Sequence, residues 1–288
     1  MEGTINHVFR SQAAKYQDRL AVEKKRDGRW ESATWAQYYD RARAVGLGLA
    51  ALGVEKGDRV ALLSENRLEW LYTDMGALGI GACIVPIYTT LTAEETAYIV
   101  DNAEAKVLVV EDAAQVAKAR EAAPLCPALQ SIVVMDPAPA ADADLFSFAD
   151  LIKSGREIHR RTPSDFEDRA DRVVPEDLAT IVYTSGTTGV PKGAMISHRN
   201  IMAVITSLDR ITPAFADDRD QAVPFLPLSH VFERAAGHYY GMYKGITSSY
   251  AESVTSVLED FGEKRPTIIL AVPRVCEKVY QKILMQVE

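Results

Sequence analysis

The sequence predicts an α/β protein with doubly wound, mostly parallel sheets and helices on both faces. Two observations lead to this fold class. Short apolar runs alternate with helical patterns of about 10 to 15 residues along most of the 288-residue chain. Several of the runs are continuously apolar, as expected for strands buried on both faces. Strands joined in this way by helices form right-handed crossovers, which place the helices on both faces of a parallel sheet.

The N-terminal half of the chain repeats helix and strand signals in turn. A helix followed by an extended segment is predicted over 8–22, and capping boxes at Thr34 and Thr92 predict two further helix starts. Gly53 occupies a C-terminal cap position, and Asn66 is predicted to cap the next helix. The later helices of this half are predicted over 34–52, 66–79, 92–102 and 112–123, and the strands over 60–63, 83–87, 107–110 and 132–135.

Residues 137–175 differ in character from the rest of the chain. The segment starts with a proline-punctuated polar loop, and its second half is densely charged. A short helix is predicted over 146–154. Because a strand signal resumes directly after this segment, we interpret it as a polar surface excursion from one domain that occupies 1–288, and not as a domain boundary.

The C-terminal half continues the alternation. A helix is predicted to begin at Ser197 or Asn200 and to reach Arg210. Further strands are predicted over 223–228, 246–250 and 267–272, and further helices over 231–243 and 254–264. Pro273 occupies a favoured first-turn position for a last helix. The apolar pattern of that helix reaches Glu288 without a stop signal, so we expect a chain that ends inside an element.

Bulk composition limits the class of protein and its partners. An apolar content of 48% and a charged content of 25% are those of an ordinary soluble globular protein. The net charge of −8 argues against nucleic acid as the main partner, because phosphate backbones are bound by basic surfaces. Three widely separated cysteines without metal-ligand spacing fit a reducing compartment. The cysteine usage leads us to expect a cytoplasmic location. No apolar run reaches the roughly 20 residues of a membrane helix, and peripheral membrane contact is left open.

The segment 184–193 carries the strongest chemical signal. It connects two short apolar runs, which predicts a strand, a loop and a second strand. Glycines let backbone N–H groups approach an anion, hydroxyls add donors, and Lys192 adds a positive charge. A flexible hairpin connection is the alternative for such a composition. A Walker loop is excluded, because Pro191 and Gly193 flank the lysine where that motif requires glycine and then Ser or Thr.

Three segments resemble one known family. Residues 184–193, Thr-Ser-Gly-Thr-Thr-Gly-Val-Pro-Lys-Gly, resemble without a gap the signature loop of the adenylate-forming (AMP-binding) superfamily. Residues 227–234, Pro-Leu-Ser-His-Val-Phe-Glu-Arg, resemble its second motif, which ends a strand and begins a helix near the acyl-binding side. Residues 272–280 and the Phe-Glu-Arg triplet resemble the long-chain fatty acyl-CoA synthetase branch. The resemblance covers nearly all of this chain but only the first half of a family member.

The resemblance implies a fold, a reaction and a site. The fold is the N-terminal part of the acyl-adenylate-forming fold. The reaction joins a fatty acid to ATP, releases pyrophosphate and passes the acyl group to coenzyme A. His230 is the implied catalytic residue, beside the acyl carboxylate or the α-phosphate, and one hydroxyl, of Thr184 or Thr188, is implied to face Mg²⁺. The residues implied to bind the ATP phosphates are Thr184, Ser185, Gly186, Thr187, Thr188, Gly189 and Lys192.

Several other histidines and tyrosines are given no role in the site. The histidines without a comparable motif around them are His7, His159, His198 and His238. The tyrosines at 239, 240 and 243 are interpreted as helix packing in preference to the lining of an acyl tunnel.

The family's later elements have no counterpart before Glu288. They are an aromatic-Gly-x-Thr-Glu segment, an aspartate for the ribose and a C-terminal lid domain with a catalytic lysine. We therefore expect a truncated piece of a long-chain fatty acid–CoA ligase, inactive by itself. Two alternatives stay open: a non-catalytic nucleotide- or acyl-binding module, and a ligase for an aryl or medium-chain acid. The expected partners are fatty acid, ATP and coenzyme A, and a homodimer is left open.

Overall fold

Two β-sheets organise the described part of the chain. A computed structural model describes residues 3–137, 145–184, 190–211, 216–253, 255–273 and 277. The first elements are α1 (Ile5–Tyr16), β1 (Leu20–Arg26), β2 (Arg29–Thr34), α2 (Trp35–Ala51), β3 (Arg59–Leu63), α3 (Leu68–Gly79), β4 (Cys83–Ile87), α4 (Ala93–Asn102), β5 (Ala105–Val110), α5 (Ala113–Ala122), a short 3-10 helix (Ala123–Leu125) and β6 (Ser131–Val134). They are followed by β7 (Leu145–Ser147), α6 (Phe148–Arg161), α7 (Asp165–Ala170), β8 (Leu178–Thr184), β9 (Lys192–Ser197), α8 (His198–Ile211), β10 (Gln221–Ala222), a π-helix (Glu233–Tyr239), α9 (Tyr240–Lys244), β11 (Thr247–Tyr250) and α10 (Val257–Lys264).

The larger sheet has seven strands in the order β7-β6-β5-β3-β4-β8-β9. All neighbouring strands in it are parallel except β8 and β9. The central strands β3 and β4 are buried almost along their whole length, which explains their continuously apolar sequence. The predicted α/β class with mostly parallel sheets is confirmed.

The smaller sheet has four strands in the order β10-β11-β1-β2. Only β1 and β2 are antiparallel to each other. One cluster of buried side chains contains residues from both sheets and from the helices that cover them. Its largest members include Trp35, Tyr38, Trp70 and Tyr239. The two sheets therefore share a core.

Both predicted capping boxes form, but the predicted cap at Asn66 is wrong. Thr34 and Thr92 each accept a hydrogen bond from the backbone of the third residue of their helix. Helix α3 begins two residues beyond Asn66. The Asn66 side chain instead donates to the carbonyl oxygen of Leu226 and accepts from the N–H of Leu228, both at 2.8 Å. Distant partners thus replace the local one.

Two strands predicted in the C-terminal half are not formed as predicted. The strand predicted over 223–228 is not formed. The two-residue strand β10, which pairs with β11, lies directly before it. That segment contains two prolines, which lack the N–H group that a strand ladder uses. Of the strand predicted over 267–272, the described residues form one bridge, between Ile268 and Ala222.

The helices of the C-terminal half also differ from their predictions. The helix predicted over 231–243 consists of the π-helix followed by α9, and α10 begins at Val257 instead of 254. The π-helix bonds each N–H one residue further back than an α-helix does, a change that sequence periodicity does not reveal and that is frequent at functional sites. Most of the helix predicted after Pro273 lies outside the described residues.

The segment 137–175 is more than a surface excursion. It contributes the edge strand β7 and the helices α6 and α7, and α6 reaches Arg161, beyond the helix predicted over 146–154. Phe148 and Leu151 of α6 are buried. A Cβ atom added at Gly155 would overlap the carbonyl oxygen of Ala44, so α6 lies directly on α2. Part of this segment belongs to the core.

Candidate functional site

The hairpin of β8 and β9 holds the ends of the predicted phosphate loop. Thr184 ends β8 and pairs with Lys192, the first residue of β9. Both residues are exposed, and the prediction of two strands on either side of a loop is confirmed. The predicted phosphate contacts of Ser185, Gly186, Thr187, Thr188 and Gly189 stay predictions, since these five residues lie outside the described residues.

Two tyrosines brace the base of this hairpin. The Tyr183 hydroxyl donates to Asn102 Oδ1 at 2.7 Å, and the Tyr98 hydroxyl donates to the carbonyl oxygen of Pro191 at 2.9 Å. A Cβ atom added at Gly193 would lie 3.1 Å from Cζ of Tyr183, its partner across the hairpin. The glycine thereby lets the aromatic ring lie across the neighbouring strand, and both ends of the loop are anchored to α4.

The second motif lies at the same edge of the larger sheet. The Ser229 hydroxyl donates to the carbonyl oxygen of Ile87, the last residue of β4, at 3.4 Å. Strand β4 is the neighbour of β8, which ends at Thr184. Open parallel sheets bind ligands beyond the carboxyl ends of their strands. The fold therefore brings the residues on either side of the loop and the His230 motif to one edge where a ligand can bind.

His230 presents one ring nitrogen to solvent. Its Nδ1 atom accepts a hydrogen bond from the backbone N–H of Phe232 at 3.1 Å. A neutral imidazole whose Nδ1 accepts must carry its proton on Nε2. The residue is exposed, and its backbone N–H donates to the carbonyl oxygen of Pro227 at 2.9 Å. The ring is thus oriented as a hydrogen-bond donor.

Arg234, the last residue of the second motif, connects that motif to the strand of the phosphate loop. Its guanidinium forms an ion pair with Asp74 and donates to Thr180 of β8 at 2.7 Å and to the Tyr239 hydroxyl at 2.8 Å. The Tyr239 hydroxyl donates to Asp74 at 2.8 Å, and the Thr180 hydroxyl donates to the carbonyl oxygen of Ile84 in β4 at 2.7 Å. One buried network therefore joins α3, β4, β8 and the π-helix.

This network was not predicted from the sequence. Arg234 is 2% exposed and Asp74 is fully buried, and burial of an ion pair costs several kcal/mol per charge unless both groups find good partners. The available signal was an aspartate inside the apolar helix pattern Trp-Leu-Tyr-Thr-Asp-Met-Gly over 70–76. An acidic residue in such a pattern indicates a buried partner.

His238 belongs to the packed interior. The Tyr250 hydroxyl lies 2.8 Å from its Nδ1 atom and the Tyr38 hydroxyl lies 3.2 Å from its Nε2 atom. Burial, and secondarily the nearby charge of Arg234, lowers the pKa of His238 to about 3. The ring is therefore neutral at physiological pH.

An apolar cavity of about 310 Å³ lies beside the second motif. Its walls come from the π-helix, α9, the residues after β10 and the segment 268–270, with Phe232 and Ile268 among the lining residues. Tyr240 is buried and also lines this cavity. Tyr239 does pack in the interior, where it joins the Arg234 network.

Glu233 is an acidic residue in the wall of this cavity. Its side chain is fully buried, and within the described ranges neither carboxyl oxygen has a hydrogen-bond partner. Burial raises the pKa of Glu233 to about 8, so the carboxyl is predominantly protonated at neutral pH. A neutral carboxyl can donate one hydrogen bond and accept others.

The part of the chain that the structure describes contains no group of three or more His, Cys, Asp or Glu side chains arranged to hold a metal ion. The same residues contain no helix that is long and apolar enough to cross a membrane.

The mostly parallel sheet with helices on both faces is the architecture of the N-terminal part of adenylate-forming enzymes. The chain belongs to the AMP-binding enzyme family, which matches residues 9–287. It is 32% identical to the long-chain-fatty-acid–CoA ligase ACSBG2 of Xenopus laevis over 97% of this chain and 38% of that protein. It is 32% identical to the long-chain-fatty-acid–CoA ligase FadD15 of Mycobacterium bovis over 91% of this chain and 42% of that protein.

A solved structure shares the architecture. The N-terminal domain of FACL13 from Mycobacterium tuberculosis superimposes with a TM-score of 0.75 at 27% identity, over 98% of this chain and 65% of that one. The chain thus spans less than half the length of the two curated relatives that it matches.

Proposed function

We propose that this chain is the N-terminal part of the adenylation domain of a ligase that activates a long-chain fatty acid through an acyl-adenylate to acyl-CoA. The observation that carries the proposal is the convergence of the two family motifs at one carboxyl edge of the sheet, connected through Arg234. The relatives named as long-chain ligases support the substrate class.

The side chains at this edge have distinct roles in the proposal. A carboxylate must approach the α-phosphate of ATP, and the two anionic groups repel each other. Lys192 at the start of β9 would bind the β- and γ-phosphates together with the loop residues 184–189, which spreads the charge of the leaving pyrophosphate. The Nε2–H of His230 would donate to the reacting carboxylate or to an α-phosphate oxygen.

We propose Mg²⁺ as the partner of the ATP phosphates, held on the protein side by Thr184 or Thr188. Thr184 fits this role in one respect, because it is exposed at the end of β8 and its hydroxyl is a hard oxygen ligand of the kind that Mg²⁺ binds. Bound Mg²⁺ would neutralise negative charge on the phosphates.

The apolar cavity is the proposed site of the acyl chain. Phe232, two residues after His230, lines it, and its walls are mostly aliphatic and aromatic. A fatty acid placed here would bury its chain among apolar groups and point its carboxylate toward the loop edge. Burial of methylene groups stabilises such a complex by about 0.8 kcal/mol each.

Titration calorimetry on the 288-residue chain tests both halves of the site. We expect binding of Mg·ATP and of palmitate, with Lys192→Ala weakening Mg·ATP at least about tenfold and leaving palmitate unchanged. Lys153→Ala, an exposed lysine on α6, is the matched control. Failure to bind ATP, or equal ATP affinity in wild type and Lys192→Ala, would contradict the proposed phosphate site.

A turnover assay tests the expected dependence on further residues. We expect the isolated chain to release no pyrophosphate from palmitate and ATP. Robust release would show that the chain is complete for adenylation. The transfer to coenzyme A, the cytoplasmic location, the peripheral membrane contact and the homodimer stay predictions.

A further inference from the structure

One wall of the apolar cavity is a short extended segment with little burial of its own. We call it the wall segment; it consists of Ile268, Ile269 and Leu270, and all three line the cavity. Ile269 is 50% exposed, and none of the four residues 267–270 is buried. A segment with few buried contacts opens easily unless hydrogen bonds hold it. The position of this wall therefore depends on polar contacts.

Thr267, which directly precedes the wall segment, binds β10 with its backbone and with its side chain. Its N–H donates to the carbonyl oxygen of Gln221 at 2.9 Å, and the N–H of Ile268 donates to the same oxygen at 3.3 Å. The Thr267 hydroxyl accepts from the N–H of Gln221 at 3.0 Å and donates to Asp220 Oδ1 at 2.7 Å. The hydroxyl thus serves as acceptor and as donor, beside the bridge between Ala222 and Ile268.

A row of polar groups continues from this contact across the smaller sheet. Gln221 Nε2 donates to Ser249 Oγ in β11 at 3.0 Å, and the Ser249 hydroxyl donates to Glu23 Oε1 in β1 at 2.6 Å. Ser249 is fully buried and Glu23 is 4% exposed. Glu23 also pairs with Lys264 of α10 at 2.5 Å, three residues before Thr267. Both ends of the connection from α10 to the wall segment are therefore fixed to the smaller sheet.

These contacts determine how the wall segment meets the opposite side of the cavity. A Cβ atom added at Gly237 would lie 3.2 Å from Cδ2 of Leu270, so the wall segment closes against the π-helix. If the bonds from Thr267 to β10 were lost, the wall segment would be free to move away from this helix. An acyl chain in the cavity would then lose apolar contacts on that side. Binding sites depend in this way on residues that hold the contacting groups in place.

We propose that Thr267 is a positioning residue of the acyl site, which together with Asp220 holds the wall segment in place and so raises the affinity for a fatty acid. This inference rests on the proposed function, because it takes the apolar cavity as the place where the acyl chain binds. It adds a determinant of acyl affinity that lies outside the three segments that resemble the family. Thr267 acts through its neighbours in the wall.

Titration calorimetry of the 288-residue chain with palmitate and with Mg·ATP tests this role. Thr267→Val removes the hydroxyl and keeps the branched shape, and we expect the palmitate affinity to fall about fivefold or more with the Mg·ATP affinity unchanged. Thr267→Ser keeps the hydroxyl and should bind palmitate within about twofold of wild type. Thr162→Val, at an exposed threonine, is the matched control and should change neither affinity.

Hydrogen exchange followed by mass spectrometry gives a readout that needs no ligand. We expect the amides of the wall segment to exchange faster in Thr267→Val than in wild type or in Thr267→Ser, and the amides of the larger sheet to exchange at the same rate in all three. Equal exchange of the wall segment in wild type and Thr267→Val would show that the hydroxyl does not hold it, which overturns the inference.

The binding outcomes separate this inference from the proposed function. Equal palmitate affinity in wild type and Thr267→Val overturns the inference and leaves the proposed acyl site in place. Equal losses for palmitate and Mg·ATP, or the same loss in Thr267→Ser, indicate a general loss of stability and also overturn it. If Thr267→Val does not fold, the same comparison with Asp220→Ala decides, because this change removes the acceptor of the Thr267 hydroxyl. If wild type binds no palmitate, the proposed acyl site and this inference both fail.

Discussion

Glu233 and Arg234 are adjacent in sequence and both are buried, yet their environments are opposite. The Arg234 guanidinium has an ion-pair partner, hydrogen-bond partners and aromatic neighbours, and these lie on α3, β8 and the π-helix. Glu233 lies in the wall of an apolar cavity, and the described residues offer its carboxyl no hydrogen-bond partner. Arg234 joins several elements of the fold, and Glu233 lies in the wall of the cavity where we propose that the acyl chain binds.

The difference shows how a buried ionisable group is tolerated in two ways. Arg234 keeps its charge because Asp74 neutralises it and because neutral donors and acceptors complete its geometry. Glu233 lacks such a partner and holds a proton instead, so that no charge is buried. The paired charge of Arg234 connects elements of the fold, whereas the neutral carboxyl of Glu233 keeps its capacity to form hydrogen bonds.

Breaking the Arg234 ion pair should produce the largest effect. Asp74→Asn leaves the guanidinium buried without its counter-charge, and we expect the free energy of unfolding to fall by about 3–5 kcal/mol. Denaturant unfolding followed by circular dichroism measures this change. The control is Arg160→Ala, which removes an exposed pair with Glu157 and should cost less than about 1 kcal/mol. A loss in Asp74→Asn as small as in the control would contradict the assigned role of the network.

The protonation of Glu233 should appear as a pH dependence of stability. In the unfolded chain the carboxyl ionises near its ordinary pKa of 4.5, whereas burial raises the pKa to about 8 in the folded chain. Between these pH values the folded state holds a proton that the unfolded state has lost. This group therefore lowers the free energy of unfolding of wild type by about 1.4 kcal/mol for each pH unit of increase.

Glu233→Gln removes this slope. We expect the stability of the variant relative to wild type to rise steadily from about pH 5 to pH 8 and to level off above the folded pKa. Other titrating groups, such as His238, are common to both proteins and cancel in the difference. Urea unfolding at several pH values gives the curve. A difference that stays constant with pH would mean that the carboxyl is ionised, and hence paired, in the folded state.

A methyl group at position 237 should displace the Glu233 carboxyl. Because the Cβ atom of Gly237→Ala would overlap Glu233 Oε1, we expect a loss of about 1–3 kcal/mol in the free energy of unfolding. The double variant with Glu233→Ala should recover most of this loss, since the two residues are in contact. Gly262→Ala is the matched control, because no atom lies within 4 Å of the added Cβ there. Equal effects of the two glycine substitutions would show that the carboxyl lies elsewhere.

The smallest effect is expected where the network reaches the phosphate-loop strand. Thr180→Val removes the acceptor for Arg234 and the donor to the carbonyl oxygen of Ile84, which should cost about 1–2 kcal/mol. Thr162→Val, at an exposed site, should change stability by less than about 0.5 kcal/mol. If Thr180 also positions the loop, the affinity for Mg·ATP should fall in Thr180→Val and stay unchanged in Thr162→Val. Unchanged affinity in both would limit Thr180 to a structural role.

Local patterns of the sequence were sufficient for most of the fold. The strands β3 to β6, the capping boxes at Thr34 and Thr92, and the two strands on either side of the loop follow from apolar runs and short-range spacing. Predictions failed where distant groups competed with local ones. Asn66 has the residue type of a helix cap, but its side chain binds the backbone at 226 and 228. The segment 223–228 is apolar, but its prolines prevent strand pairing.

The sequence by itself determined the α/β class, the loop at 184–193 and the family motifs, because each depends on residues that are close together in the chain. Only the tertiary structure decided which groups meet. Asp74 and Arg234 are 160 positions apart, and no local pattern in either segment predicts that they are in contact. Whether Glu233 is charged or neutral also depends on the walls around it, which come from segments that are brought together only by folding. Whether a buried group is paired or protonated depends on its environment, and the fold sets the environments of Glu233 and Arg234.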